Sequence, residues 1–400
     1  MTDMKQLSEE RFEINEKIYS GKLPSRIPFT LGPAFEASIA YAIKQGVTPA
    51  GKTMRDLYWE PEYWFDILDK VNGDFYSDTA SGTGAIRLPI LYQILDAKCI
   101  NMSATGVMQH PEVHSLEVEE YDEFIKDPMF FMMENLMPRL YRALDTTPAR
   151  RSMVMAEAVK ANADHMAIIG GIMGKLSGKY GFPKSAGGRS TAPLDYLADF
   201  LRSFTNINKD LRRCPDKVLA ACDALVPLMV REGLGTDPTS LPSYYRISIP
   251  LHMGSFLNNK HFEKFWFPSM SKVMKELVRY GHGVDLFVED NWMRHMELMN
   301  EFEGSIRYQF EYGDPEYVKK LFSENTPKGS THVIYGFYPI NTLQYGTKEE
   351  VKDKAKELMD VLAPGGGYMF GFDKGLFSLD EPIAENVKTL AEFVLEYGKY

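Results

Sequence analysis

An alternation running through the second half of the chain constrains its fold more than any other feature. Short apolar runs at 246–254 ("RISIPLHMG"), 284–290 ("VDLFVED"), 305–314 ("SIRYQFEYGD"), 331–339 ("THVIYGFYP") and 366–372 ("GGYMFGF") are separated by stretches of helical periodicity. Each run has the length of a strand. The clearest helix opens at Thr347, which forms a capping box with Glu350, and Val351, Ala355, Leu358 and Leu362 make one apolar face. A second helical pattern over about 258–280 stops at Gly281, and "EPIAENVKTLAEFVLEYGKY" is a third. Repeated strand–helix units in one long chain mean a parallel sheet.

Upstream runs at 26–32 ("RIPFTLG"), 74–78 ("DFYSD") and 165–171 ("HMAIIGG") bring the expected strands to about eight. No dinucleotide fingerprint follows the first run and no linker divides the chain, so the α/β class narrows to a closed (β/α)8 TIM barrel. Residues 1–25 read as a helical N-terminal extension and 26–400 as the barrel. An insertion over about 96–164 carries a short hairpin and Met- and Phe-rich helices ("DPMFFMMENLMPRL") and is expected to roof one barrel end. Methionine at helical spacing is ordinarily adaptable core filler. "GGIMGKLSG" at 170–178 lacks nucleotide-loop spacing and reads as a strand packed against its following loop.

Composition excludes several function classes. A formal charge of −10 with scattered Lys and Arg argues against nucleic acid and anionic membrane surfaces as partners. Cys99, Cys214 and Cys222 are far apart with no CxxC spacing, which speaks against a disulfide framework or a thiolate zinc site and fits a reducing cytoplasm. The first residues carry no apolar signal core. "MAIIGGIM" is far short of the roughly 20 residues of a membrane span, so neither export nor a membrane partner is expected. Aromatic residues make up 12%, a content that suits a flat aromatic substrate and ordinary core packing equally.

In such a barrel the site lies at the carboxyl ends of the strands. Asp78, His252, Glu289 with Asp290, Glu311 and Tyr338 close successive apolar runs. One histidine among several carboxylates suits either a metal or a pair of acid and base groups with mutually shifted pKa values. Strand-end carboxylates also cap helices, a role that fits Asp290 and Asp314. His332 starts its strand, which points to a structural role at the other end.

The stretches "IPLHMGSFLNNKHFEKFWFPSMSKVMKELVRYGHGVDLFVEDNW", "FEYGDPEYVKKLF", "YGFYPINTLQYGTKEEVKDKAKELMDVLAPGGGYMF" and "PIAENVKTLAEFVLEYGKY" resemble the uroporphyrinogen decarboxylase superfamily. The resemblance covers most of the second half and extends more weakly upstream. It implies a (β/α)8 barrel, commonly a homodimer, and one of two chemistries: cofactor-free decarboxylation of a porphyrinogen, or methyl transfer to or from a corrinoid protein. Thiol-methylating members hold zinc with a His-x-Cys motif and a Cys in a "PGCG" turn. Here the corresponding segments read His252-Met253-Gly254 and Pro364-Gly365-Gly366-Gly367. Both cysteines are missing, which disfavours thiol methylation and leaves Gly366 in the place of a lost ligand, in a turn open to anions. Decarboxylases carry an arginine-rich first strand end, whereas "RIPFTLGPAFEAS" has no arginine after Arg26. Only Asp78 resembles the aspartate they use on their substrate.

The resemblance therefore implies a methyltransferase of a corrinoid-dependent O-demethylation system. It would move a methyl group between a small donor or acceptor, such as a methoxylated aromatic, and a corrinoid carried by a partner protein. His252, Glu289 and Asp78 are the catalytic candidates; Asp78, Tyr338 and Gly366 are expected on the substrate. His252, Glu289 and Glu311 are expected to hold zinc at the ether oxygen. Decarboxylation stands second, and a non-catalytic corrinoid-binding relative third.

Overall fold

A computed structural model describes residues 4–83 and 86–400; residues 1–3 of the expected N-terminal extension lie outside the described residues. Six parallel strands form a continuous sheet in chain order: β1 (Ala186–Arg189), β2 (Tyr245–Leu251), β3 (Gly283–Val288), β4 (Ser305–Phe310), β5 (Thr331–Tyr338) and β6 (Tyr368–Phe372). The principal helices are α1 (Met4–Tyr19), α2 (Pro148–Tyr180), α3 (Pro215–Leu234), α4 (Phe267–Val278), α5 (Pro315–Asn325), α6 (Lys348–Leu362) and α7 (Ile383–Tyr397).

Two less regular segments complete the (β/α)8 barrel. The segment 26–33 lies parallel to β6: Phe29 bridges Phe370, and the Phe370 amide donates to the Pro28 carbonyl at 2.8 Å. The Asp78 amide in turn donates to the Phe29 carbonyl at 2.8 Å. Pro28 and Pro33 have no N–H to give, so this stretch pairs at isolated points and forms no continuous ladder.

The expected strand at 165–171 is not a strand. It lies inside α2, which Thr147 caps and which ends at Gly181 in the left-handed region (φ 66°). Ile169, Ile172 and Leu176 recur at helical spacing and pack with Phe35, Trp64 and Leu68 in a core of their own. "GGIMGKLSG" is likewise helix interior, not a strand and its loop. The third barrel position is instead β1, "AGGR", which has no apolar run. Its Gly188 is required by close packing, because a Cβ there would stand 2.5 Å from the Gly233 carbonyl of α3. The expected hairpin forms between Asn101–Met102 and Met108–Gln109.

The amino end of the barrel is closed by α1. Ser305 Oγ, at the start of β4, donates to the Tyr19 carbonyl at 3.0 Å, and Ile18 packs with Val333, Tyr335 and Met369. Above Tyr19 lies a charged floor: Arg246 stacks on the Tyr19 ring at 3.7 Å, and Asp285 pairs with Arg246 at 2.7 Å and Arg307 at 3.0 Å. Ions so deep are tolerated because each is paired.

Candidate active site

Strand alternation fixes which side chains face the barrel interior. Ser190 Oγ donates to the Met229 carbonyl of α3, and a Cβ on Gly233 would stand 3.1 Å from Ile247 Cγ2, so Ser190 and Ile247 face the outer helices. Arg189 on β1, Ser248 and Pro250 on β2 and Asp285 and Phe287 on β3 therefore face inward, and His252 and Glu289 stand at the positions just past the ends of β2 and β3. Arg189 and Ser248 are register partners and both are exposed, so solvent reaches well down the inner wall.

At the carboxyl ends of these strands His252 is held between two carboxylates. Its Nδ1 lies 2.7 Å from Asp199 Oδ2 and its Nε2 2.9 Å from Glu289 Oε2. Burial alone would lower the imidazole pKa, but the two hydrogen bonds reverse that and raise it to about 10. His252 is thus a doubly donating imidazolium at neutral pH, and it holds the Glu289 carboxyl below its ordinary range. Asp199 is nearly buried, whereas the Glu289 side chain is 47% exposed and faces the mouth. The buried carboxylate fixes the ring from below, and the half-exposed one meets it from the solvent side.

Beneath the ring, Asp195 fixes the end of β2. Its oxygens accept from the His252 amide at 2.8 Å, the Met253 amide at 3.2 Å and Trp266 Nε1 at 2.9 Å. Complete burial pushes its pKa up to about 6 against the pull of His252.

Of the residues expected from sequence, His252 and Glu289 meet, and the others do not join them. Glu311 accepts from Lys374 Nζ at 2.9 Å and from the Asp290 amide at 2.8 Å. Asp78 lies toward the amino end, gripped by Arg26 through two 2.7 Å bonds and by Tyr76 at 2.7 Å, with Arg11 of α1 at 3.4 Å. Tyr338 is fully buried, and its hydroxyl donates outward to the Val351 carbonyl of α6 at 3.1 Å. Gly366 precedes β6 and so sits at the opposite barrel end from His252; its carbonyl accepts from Lys319 Nζ at 2.7 Å. The residues that follow β6 at the mouth are Asp373 and Lys374.

These placements also bear on zinc. Both His252 nitrogens face carboxylates, Glu311 is drawn off to Lys374, and a Cβ on Gly254 would run into the Trp292 indole. Among the described residues no group of three or more His, Cys, Asp or Glu stands where it would hold an ion. The expected ligand trio does not fit a metal centre in this arrangement.

Sequence reading missed Asp195, Asp199 and His110. The two aspartates follow β1, whose glycines hide it from any hydrophobic pattern; "PLDYLAD" places them four apart, on one helix face, which was the available signal. His110 leaves the hairpin and stacks on Phe200 at 5.2 Å, with its Nε2 buried and unpartnered.

The molecule is thus a (β/α)8 barrel with its polar cluster at the mouth where barrel enzymes carry their active sites. The family model described as Uroporphyrinogen decarboxylase (URO-D) matches residues 146–397, and the chain belongs to that family. The fold is similar to the solved structure of a methyltransferase from Methanosarcina mazei, with a TM-score of 0.56 and 15% identity over 98% of this chain and 98% of that chain. No curated protein matches the chain. Among the described residues no helix is long and apolar enough to cross a membrane.

Proposed function

We propose that the protein is a methyltransferase that takes a methyl group from a small oxygen-bound donor and passes it to a corrinoid held by a separate protein. The observation that carries this reading is the His252 imidazolium, oriented by Asp199 and facing the mouth through Glu289. An alkoxide or phenoxide is a poor leaving group, and a proton delivered to the oxygen as the carbon–oxygen bond breaks removes that obstacle. The corrinoid, when its carrier docks, supplies the nucleophile that accepts the methyl. The proton goes from His252 Nε2 to the ether oxygen, the bonding pair leaves with that oxygen, and Asp199 steadies the ring. Glu289, displaced from Nε2 by the donor, stays near enough to guide reprotonation from solvent.

The likeness to a methyltransferase fold supports the reading without fixing the reaction. Against porphyrinogen decarboxylation counts the engagement of Asp78 by two arginines at the far end of the barrel.

The test is single-turnover demethylation of a methoxylated arene with a reduced corrinoid protein, followed by the corrinoid absorbance change. His252→Gln is expected to slow transfer by about 10²–10⁴-fold per folded molecule, with the thermal midpoint lowered because Asp199 and Glu289 lose the charged ring between them. Transfer at the wild-type rate in that variant would remove His252 from the mechanism. Carbon dioxide release from a porphyrinogen by the wild-type protein would replace the reading with decarboxylation.

A further inference from the structure

The ladder between β3 and β4 ends at the pair Val288 and Phe310, so Glu289 stands one residue beyond the last strand pairing. Its side chain is 47% exposed, yet its carboxylate meets His252 Nε2 at 2.9 Å. A glutamate with solvent on one side keeps one such geometry only where its backbone is held, because the free side chain has many rotamers open to it. Two groups grip that backbone, and both act on the single peptide that joins Glu289 to Asp290. Trp292, fully buried, donates its indole Nε1–H to the Glu289 carbonyl at 2.6 Å. Glu311 Oε2 accepts from the Asp290 amide at 2.8 Å. Asp290 itself lies at φ 66°, a left-handed conformation uncommon outside glycine, which ends the extended run of β3 and has to be held by its surroundings.

Glu311 is held in its turn. Its amide donates to the Val288 carbonyl at 3.3 Å, and its Oε1 accepts from Lys374 Nζ at 2.9 Å. Lys374 also donates to the Tyr312 hydroxyl at 3.0 Å, and its amide donates at 2.8 Å to Asp373 Oδ1, which accepts the Ile340 amide as well at 3.1 Å. The two oxygens of Glu311 therefore do different work: the lysine balances the charge through one, and the other is left for the Asp290 amide. We infer that Glu311 is a positioning residue of the site: by accepting from the Asp290 amide it fixes the peptide from which Glu289 reaches His252. With a donor at Nε2, the same clamp keeps the displaced Glu289 beside the ring for reprotonation. The inference rests on the methyl-transfer reading only for that use of the proton; the clamp itself concerns Glu289 and His252 alone.

The test separates the amide acceptor from the ion pair. Lys374→Met removes the ion pair and leaves Glu311 on the Asp290 amide, whereas Lys374→Met with Glu311→Ala removes the clamp at no change of net charge. The His252 Cε1 proton titration, read by NMR on folded protein, is compared in wild type, these two variants and Glu289→Ala. Glu289→Ala sets the fall in midpoint that follows complete loss of that carboxylate, with Asp199 and Asp195 still beside the ring in all four proteins. The double variant is expected to show at least about half of that fall and to slow single-turnover transfer about 10-fold per folded molecule. Lys374→Met should leave the midpoint in place or raise it, since it takes a cation from the mouth. A wild-type midpoint in the double variant, or a fall as large in Lys374→Met alone, would overturn the clamp. A fall confined to the double variant, in a protein whose transfer rate ignores His252→Gln, would keep the clamp and remove the proposed chemistry.

Discussion

His252 owes its charge to its two neighbours, and that makes its titration a direct readout of the site. Its pKa stands at about 10 in the folded protein against 6.5 for an ordinary histidine. The folded state therefore binds the proton more tightly, and the stability it contributes is fully present below about pH 6.5 and lost as pH rises through about 10. Asp199→Asn removes the more buried partner and is expected to lower that pKa and narrow the window. The ring Cε1 proton shift followed by NMR across pH 5–11 would check both statements; a wild-type midpoint near 6.5 would mean that the two carboxylates do not grip the ring. His252 and Glu289 were legible in sequence because each closes an apolar run. What holds His252 was not, since Asp195 and Asp199 lie more than 50 residues away in sequence, behind a strand of glycines.

Between the elements, one carboxylate does the joining. Asp195 begins the helical turn after β1 and receives two amides from the end of β2 and the indole of Trp266. Replacing it with alanine strands three buried donors, each costing about 1–3 kcal/mol if water does not reach it. Urea unfolding of Asp195→Ala should show a loss of roughly 3–5 kcal/mol, with the His252 titration displaced as well. A loss below about 1 kcal/mol would show that solvent replaces the carboxylate without cost. Elements with strong periodicity were readable for the same reason that they are stable: the Thr347–Glu350 box and the face of α6 form as their spacing dictates. The strand expected at 165–171 failed because an apolar run of that length fits either element, and the surrounding Pro148–Tyr180 helix, buried on one side only, decides for helix. β1 escaped notice because its pairing with β2 is specified by close approach and not by hydrophobicity.

Across the whole molecule, chemistry and anchoring are segregated to opposite ends of the barrel, and Asp78 shows what that costs a reading by strand ends. The residue does close its apolar run, yet Arg11 arrives from α1, 67 residues earlier, and Arg26 from the first strand, and together they bury its carboxylate to 2% exposure. Arg11 also donates to the Tyr180 and Gly181 carbonyls at the end of α2, so Asp78 joins the N-terminal helix, the first two barrel segments and α2. Removing one member of such a buried group leaves the others charged and unpaired, at a cost of about 3–5 kcal/mol. Asp78→Ala should therefore lower the urea midpoint strongly and loosen α1 in hydrogen exchange. The single-turnover transfer rate per folded molecule should stay within about two-fold of wild type, since less than about 0.5 kcal/mol is expected to reach the mouth. If Asp78→Ala instead folded as stably as wild type and lost methyl transfer, Asp78 would belong to the site and the division of labour between the two ends would fail.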